Sequence, residues 1–419
     1  MINTLSFQFL AGNVIILFLI RLGANKTLIG IVSSFFYASY FFMPVGRILS
    51  NKYGIVKTFS LAWMIRYLAM CPILITPFLA DSPRFAIIIA VTGYFGFQMI
   101  RGAGLVSLSP VMAELSNGKD QGRFLSVSRI ISDIAILTGS LIVAFFLGED
   151  APLYKYVISF GIGILLGYAG VFSLVKIPEI HRPVGHRDKS FTESLSNIVR
   201  KKKFRRFFIS LILLTFVGGV LRPFILVYAK DMYALSDNRV LFLTVSGSLG
   251  AITMGLISRN LLDRLGAKPM LLFWTIMMFA VSLSVVFTPV IKAPMFWIFL
   301  IFIFYFAFMG LNGFINTTQT YFFSMLTAEE QLNSGILFFL ATGVSGVAGS
   351  TIGGISLDLF QGALNISVRG SYQLLFGFVS IILLFSIIAV LKMERLGALS
   401  LGESLMHFFT LRKRSRDQV

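Results

Sequence analysis

Charged side chains are scarce in this chain. They make up 13% of its 419 residues, against roughly 25% in ordinary soluble domains. A soluble globule of this length would lack the polar surface to dissolve. The single cysteine, Cys71, excludes an intramolecular disulfide, a paired-thiol redox motif and a thiolate metal cage. The three histidines, His181, His186 and His407, all fall in hydrophilic stretches, which leaves no imidazole metal site in the apolar body. No glycine loop follows a strand and ends on a Walker lysine, so no ATPase is expected, and no cofactor either. What is abundant is apolar surface: 56% hydrophobic residues, with 44 Phe and 13 Tyr. That excludes disorder. An all-α polytopic membrane protein remains.

A helix needs about 20 apolar residues to cross a bilayer. Twelve stretches qualify, at roughly 3–20, 27–50, 58–79, 84–112, 124–147, 155–175, 207–229, 238–258, 269–289, 294–323, 334–360 and 371–391. They are continuous rather than alternating, which argues against a transmembrane barrel. The first has no basic n-region and no small-residue cleavage site, and is expected to be retained as a helix.

The net charge of +18 would suggest nucleic acid in a soluble protein. Here no RNP, zinc-finger or helix-turn-helix pattern accompanies it, and the basic residues lie between apolar segments. Of the 36 Lys and Arg, 24 fall in segments 47–57, 119–123, 176–206, 259–268 and 392–416, eight fall on the other side, and four lie within spans. By the positive-inside rule both termini and the central loop are expected in the cytoplasm, in a multi-pass protein of the cytoplasmic or plasma membrane. No loop on the other side could hold a folded domain. The expected units are a six-helix bundle over 1–175, a basic loop over 176–206, a second six-helix bundle over 207–391 and a basic tail over 392–419.

Within the central loop, Ser190-Phe191-Thr192-Glu193 reads as a capping box ahead of Leu195, Ile198 and Val199 and the run Arg200-Lys201-Lys202-Lys203. A short helix lying on the membrane surface is expected there. The tail repeats the pattern with Leu401, Leu405, Phe408 and Phe409 before Arg412-Lys413-Arg414. Anionic-lipid docking and a plain topogenic linker both account for these segments.

The two halves share a motif. Arg47-Ile-Leu49-Ser-Asn51-Lys52-Tyr-Gly54 and Arg259-Asn-Leu261-Leu-Asp263-Arg264-Leu-Gly266 match in Arg, Leu, a basic residue and Gly, with the glycines 212 residues apart. Each copy joins the second span of its half to the third. Duplication of this kind builds many transporter folds.

The segment Leu261-Leu-Asp263-Arg264-Leu265-Gly266-Ala267-Lys268 resembles the G-x-L-A-D-R-x-G-R-K loop signature of the major facilitator superfamily. Arg101-Gly102 in the fourth span, followed by Glu114 and Arg123, is similar to a further family pattern. The resemblance implies two pseudo-symmetric bundles of six helices each, 12 in all, that rock around a cavity lined by the first, fourth, seventh and tenth spans. It implies gating roles for Arg47, Asn51, Lys52, Gly54, Glu114, Arg123, Arg259, Asp263, Arg264, Gly266 and Lys268. The chain departs from the family in having Arg47 and Arg259 where the signature begins with Gly, and Asn51 where a carboxylate would latch the gate. The glycine–proline motif of family drug antiporters is not evident in 134–147, which argues against a drug/proton antiporter.

An arginine near the bilayer centre costs about 2.5–3.5 kcal/mol, so four would cost roughly 10–14 kcal/mol unrelieved. Arg101 lies midway along the fourth span and Arg222 just beyond the middle of the seventh, beside Pro223, which is expected to open the helix. Facing one cavity from opposite halves, they would suit a carboxylate or phosphate. Facing protein, they would bind helix carbonyls or a carboxylate instead. Asp133 is the one acid near the middle of a span, with Arg129 one turn away. The pair serves either as an ion-coupling group or as a structural salt bridge. Arg66 is expected to snorkel to the interface, and Trp63, Trp274 and Trp297 to anchor there. Asn312, Asn316 and Gln319 share one helical face and offer either substrate contacts or interhelical hydrogen bonds, while Gln8 and Asn13 could each face the cavity. Gly343, Gly346, Gly349, Gly353 and Gly354 permit close helix approach in the eleventh span.

The expected function is secondary transport of a small solute, anionic if the arginines face it, by a monomer in the lipid bilayer with protons as a candidate coupling ion. A lipid-modifying membrane enzyme would need a cluster of His, Asp, Glu or Cys that Asp81, Glu149, Asp150, Glu329 and Glu330 do not assemble. A receptor or scaffold would ordinarily carry sizeable soluble domains.

Overall fold

With no water to satisfy them, backbone N–H and C=O groups in a bilayer must pair within their own segment, so apolar runs of this length become helices. A computed structural model of the chain describes residues 1–79, 82–115, 121–149, 151–179, 202–287, 295–326 and 331–394. Twelve spans follow in order: Ile2–Arg21, Lys26–Tyr53, Ile55–Leu79, Pro83–Leu105, Gln121–Leu147, Leu153–Val175, Lys202–Tyr233, Asp237–Leu265, Ala267–Phe287, Met295–Ser324, Gln331–Asp358 with a π-helical turn at Leu359–Ala363, and Val368–Leu391. A short helix, Leu108–Leu115, lies between the fourth and fifth. Eleven spans are apolar over a full crossing. In the fifth, the apolar stretch among the described residues is Ile131–Leu147, with Asp133 within it. The surface helices expected at 190–203 and 401–414 lie outside the described residues, apart from Lys202 and Lys203, which begin the seventh span.

The packing repeats between halves. In the first, the first span meets the fifth and sixth, the third meets the fourth and sixth, and the second meets the fourth. The seventh to twelfth spans make the same contacts six places on. The halves join where the second span packs along the eleventh and the fifth along the eighth. Exchanging the halves maps one of these junctions onto the other, the signature of a pseudo-twofold axis between two bundles. The duplicated loops agree at the backbone level too: Gly54 (φ 103°, ψ 157°) and Gly266 (φ 85°, ψ 164°) turn the chain in the same way. Few residues with a Cβ tolerate that conformation.

Glycine does at the eleventh span what its spacing predicts. A Cβ at Gly354 would strike the Lys26 carbonyl, and one at Gly346 the Tyr37 ring. These glycines let the eleventh span lie directly on the second.

Two expectations about helix shape are corrected. The seventh span runs unbroken through Pro223. The interruption is in the first span, where Ala11 is extended and Gly12 has φ 63° and ψ −122°, dividing it into Ile2–Leu10 and Asn13–Arg21. A second change of geometry follows Cys71, where Pro72 and Pro77 lack the donors an α-helix needs and the third span ends as a 3-10 helix over Cys71–Leu79.

Candidate functional site

A cavity of about 1060 Å³ lies between the halves. Met1–Thr4, Leu108, Leu115 and Ile177 line its mouth, and Tyr37, Arg101, Arg222 and Asn312 line its depth. The mouth is on the face of the molecule where the second span turns into the third through the Gly54 loop, called here the basic face.

Arg101 is placed by its neighbour. Gly102 lets the fourth span touch the second, since a Cβ there would meet the Ser39 backbone. Arg101 Nη1 then donates to Ser39 Oγ at 3.2 Å, and its guanidinium carbon lies 4.5 Å from the centre of the Phe36 ring. Arg222 reaches the same ring from the other half, at 5.7 Å. One aromatic side chain therefore carries a cation from each bundle, each held by its quadrupole.

Arg66 does not snorkel. It is 1% exposed, over the rings of Trp63 at 4.7 Å, Tyr67 at 4.8 Å and Phe97 at 4.2 Å. Asn3 Oδ1 fixes two of these rings by accepting from Trp63 Nε1 at 2.9 Å and from the Tyr67 hydroxyl. Counting residues from the end of a span gave Arg66 a depth but not a direction. The tryptophan anchors are corrected for the same reason: Trp63 and Trp274 are buried, Trp274 against Gly313, while Trp297 is half-buried beside Phe296. Each π face contributes about 2 kcal/mol or more to a desolvated cation, which offsets the several kcal/mol it costs to desolvate the guanidinium. Nε and Nη2 of Arg66 have no hydrogen-bond partner.

The break in the first span exposes Gly12 to the cavity and directs the start of the Asn13–Arg21 helix into it. A helix start carries unpaired N–H groups and about half a positive charge. Tyr94 lines the cavity with Gly12 and accepts from Gln98 Nε2 at 2.6 Å. Asn13 lines the cavity, and so does Gln8, whose Oε1 accepts from Ser140 Oγ at 3.3 Å.

Asp133 also lines the cavity, with Ser128 and Ser132 on the same helix. Of the tenth-span face, Asn312 is in the wall, its Nδ2 donating to Phe308 O at 2.8 Å. Asn316 is exposed and Gln319 half-buried, and neither belongs to the cavity wall. In the first gating loop Arg47 is half-buried, Asn51 and Lys52 are exposed, and Lys52 Nζ lies 5.1 Å from the Tyr53 ring. Sequence reading missed Glu179, whose carboxylate accepts from Val56 N at 2.9 Å and Lys57 N at 3.0 Å beside Gly54. In the second loop, Lys268 Nζ donates to the carbonyls of Leu391 at 2.8 Å and Met393 at 2.6 Å. The side chains of Glu114, Arg123, Arg129, Arg259, Asp263 and Arg264 lie outside those described. Among the described residues, no group of three or more His, Cys, Asp and Glu is placed to hold a metal ion.

The opposite face is shut by polar contacts between the halves, none of them foreseen. Lys26 pairs with Asp231 at 2.5 Å, and Tyr372 donates to the same Asp231 oxygen at 2.8 Å. Asp358 accepts from the Lys26 and Thr27 backbone at 3.1 and 2.7 Å, capping the second span from the eleventh. Tyr156 donates to the buried Asp237 at 2.6 Å, which Lys230 also contacts, and Arg239 bonds Glu149 at 2.8 Å.

Two bundles related by exchange around a central cavity have the architecture of a membrane transporter. The family profile described as Major Facilitator Superfamily matches residues 1–339. The chain belongs to that family. No match is found among curated proteins. Among solved structures, a variant of the nucleoside transporter NupG aligns with TM-score 0.74 at 16% identity, covering 93% of this chain and 98% of that one. A D-xylose–proton symporter aligns at 0.65 and 15%, covering 94% and 98%. An inward-facing bacterial homologue of the iron transporter ferroportin aligns at 0.68 and 11%, covering 93% and 95%. At such identities the likeness is one of fold.

Proposed function

We propose that the chain is a secondary transporter carrying a small organic anion by alternating access, with its basic face in the cytoplasm and its cavity open to that side. The observation that carries the reading is the charge of the cavity wall. Among the described residues, Arg66, Arg101 and Arg222 stand there against one carboxylate, Asp133, and Phe36 holds Arg101 and Arg222 at the junction of the halves. An anion bridging Arg101 and Arg222 gains charge-assisted hydrogen bonds from both bundles, so binding and closure are coupled. Asn13 and Asn312 supply neutral contacts to the remainder of the solute, while Asn316 and Gln319, outside the wall, take no part in this state. Asp133 with Arg129 couples transport to a proton. The basic loops at Arg47–Gly54 and Arg259–Lys268, with Glu114 and Arg123, form the gate that seals the basic face when the halves rock.

The test is thermal stabilisation of the purified protein, since a ligand that binds the folded state raises its apparent stability with concentration. Carboxylates or organophosphates should stabilise the wild type, and sugars should not. A hydrogen bond to a charged group is worth about 1.5–3 kcal/mol, so Arg101→Gln or Arg222→Gln should weaken the effect at least about tenfold. Stabilisation by neutral solutes alone would refute the reading.

A further inference from the structure

The cavity has a second cationic pole that the Arg101–Arg222 pair does not use. Arg66 lies in its wall on the side of the first bundle, inside the aromatic box of Trp63, Tyr67 and Phe97. Rings accept the flat face of a guanidinium. They leave its edges, where the N–H groups point, without acceptors. The two unpartnered nitrogens of Arg66, Nε and Nη2, share one edge of the plane, the edge that forms paired hydrogen bonds to a carboxylate or phosphate. A buried donor pair of this kind calls for an explanation. Phe97 links the box to the first span beside its break: it stacks on Phe7 at 6.3 Å and on Tyr94 at 6.2 Å, and Tyr94 shares the cavity wall with Gly12 and Arg66. The positive start of the Asn13–Arg21 helix therefore opens into the same part of the cavity.

Resting on the anion-carrier reading above, we propose that Arg66 and the start of the Asn13–Arg21 helix form a second anion subsite, which takes a carboxylate or phosphate group of a substrate bearing two anionic groups. The first group lies between Arg101 and Arg222. The second engages Arg66, whose edge is shielded from water in this open state and turns into the cavity by rotation of the side chain within its box. Trp63 therefore reports the event, because its indole ring lies against the moving guanidinium. Arg66→Lys keeps the cation among the rings but loses the paired donors.

The experiment is a titration of the full-length protein in detergent, read by tryptophan emission and by thermal stabilisation together. The probes are inorganic phosphate, glycerol 3-phosphate and succinate, with glycerol as the uncharged control. A saturable emission change with an anion and none with glycerol is expected. It should vanish in Trp63→Phe and shift at least tenfold to higher concentration in Arg66→Lys. A response to the phosphates alone assigns the subsite to phosphate, and one to succinate alone assigns it to carboxylate. If anions stabilise the protein in an Arg101-dependent way while Trp63 stays silent and Arg66→Lys titrates like wild type, the subsite is refuted and the anion carrier stands. If no anion stabilises the protein, both fall. Should Arg66→Lys fail to fold, the Trp63 signal of the unaltered arginine decides alone.

Discussion

Arginine is the residue on which this molecule turns, and the three in the described cavity wall are held in three ways. Arg101 has a hydroxyl and a ring, Arg222 shares that ring, and Arg66 has three rings. That Arg101 and Arg222 are unusual was legible in the sequence, because charge inside an apolar run always is. That Arg66 belongs with them was not, because its box is assembled from three spans and a helix break. Glycine supplies the other residue-scale test. Gly54 and Gly266 sit at φ 103° and 85°, where a side chain costs about 1–3 kcal/mol. Gly54→Ala and Gly266→Ala should each lower the apparent melting temperature, and Gly54→Ala should also displace the Glu179 carboxylate that caps the third span. Gly255, helical with open space around it, is the control: Gly255→Ala should leave the melting temperature unchanged or raise it. Equal effects at all three positions would contradict the account of the loops.

Among the elements, the second and eleventh spans form one of the two junctions between the halves. Their lengths were readable from hydropathy and their closeness from the glycine stripe. Their clasp was not, since the capping carboxylate of Asp358 comes from 331 residues away. Nor was the break at Gly12, because a glycine inside an apolar run looks the same whether the helix continues or turns. Removing Asp358 leaves the Lys26 and Thr27 N–H groups unpaired and unties the halves on the closed face. In a Cys71→Ala background, a probe cysteine at Ile16 reports whether the cavity is reached from the closed side. Asp358→Ala should raise its labelling by an impermeant maleimide applied to the clasp face several-fold. Labelling equal to that of the intact clasp would mean these contacts do not hold the face shut.

For the whole molecule, the sequence carried the number of spans, the six-and-six division and a charge bias, because each depends on local composition. The resemblance supplied the arrangement around a cavity, and the family assignment and packing agree with it. Which face is open, and what closes the other, became visible only in three dimensions. On the proposed reading, the charge bias puts the open mouth on the cytoplasmic side and the arginines in the wall select an anionic cargo. Counterflow in proteoliposomes tests that claim most directly, using vesicles loaded with unlabelled succinate or glycerol 3-phosphate and labelled solute outside. The assay also reads Asp133, since Asp133→Asn should flatten the dependence on pH if that carboxylate carries the coupling proton, and an unchanged profile would make it structural. The account predicts saturable counterflow of at least one of these anions that falls at least tenfold in Arg101→Gln. Undiminished counterflow in that variant, or exchange of neutral solutes only, would contradict it.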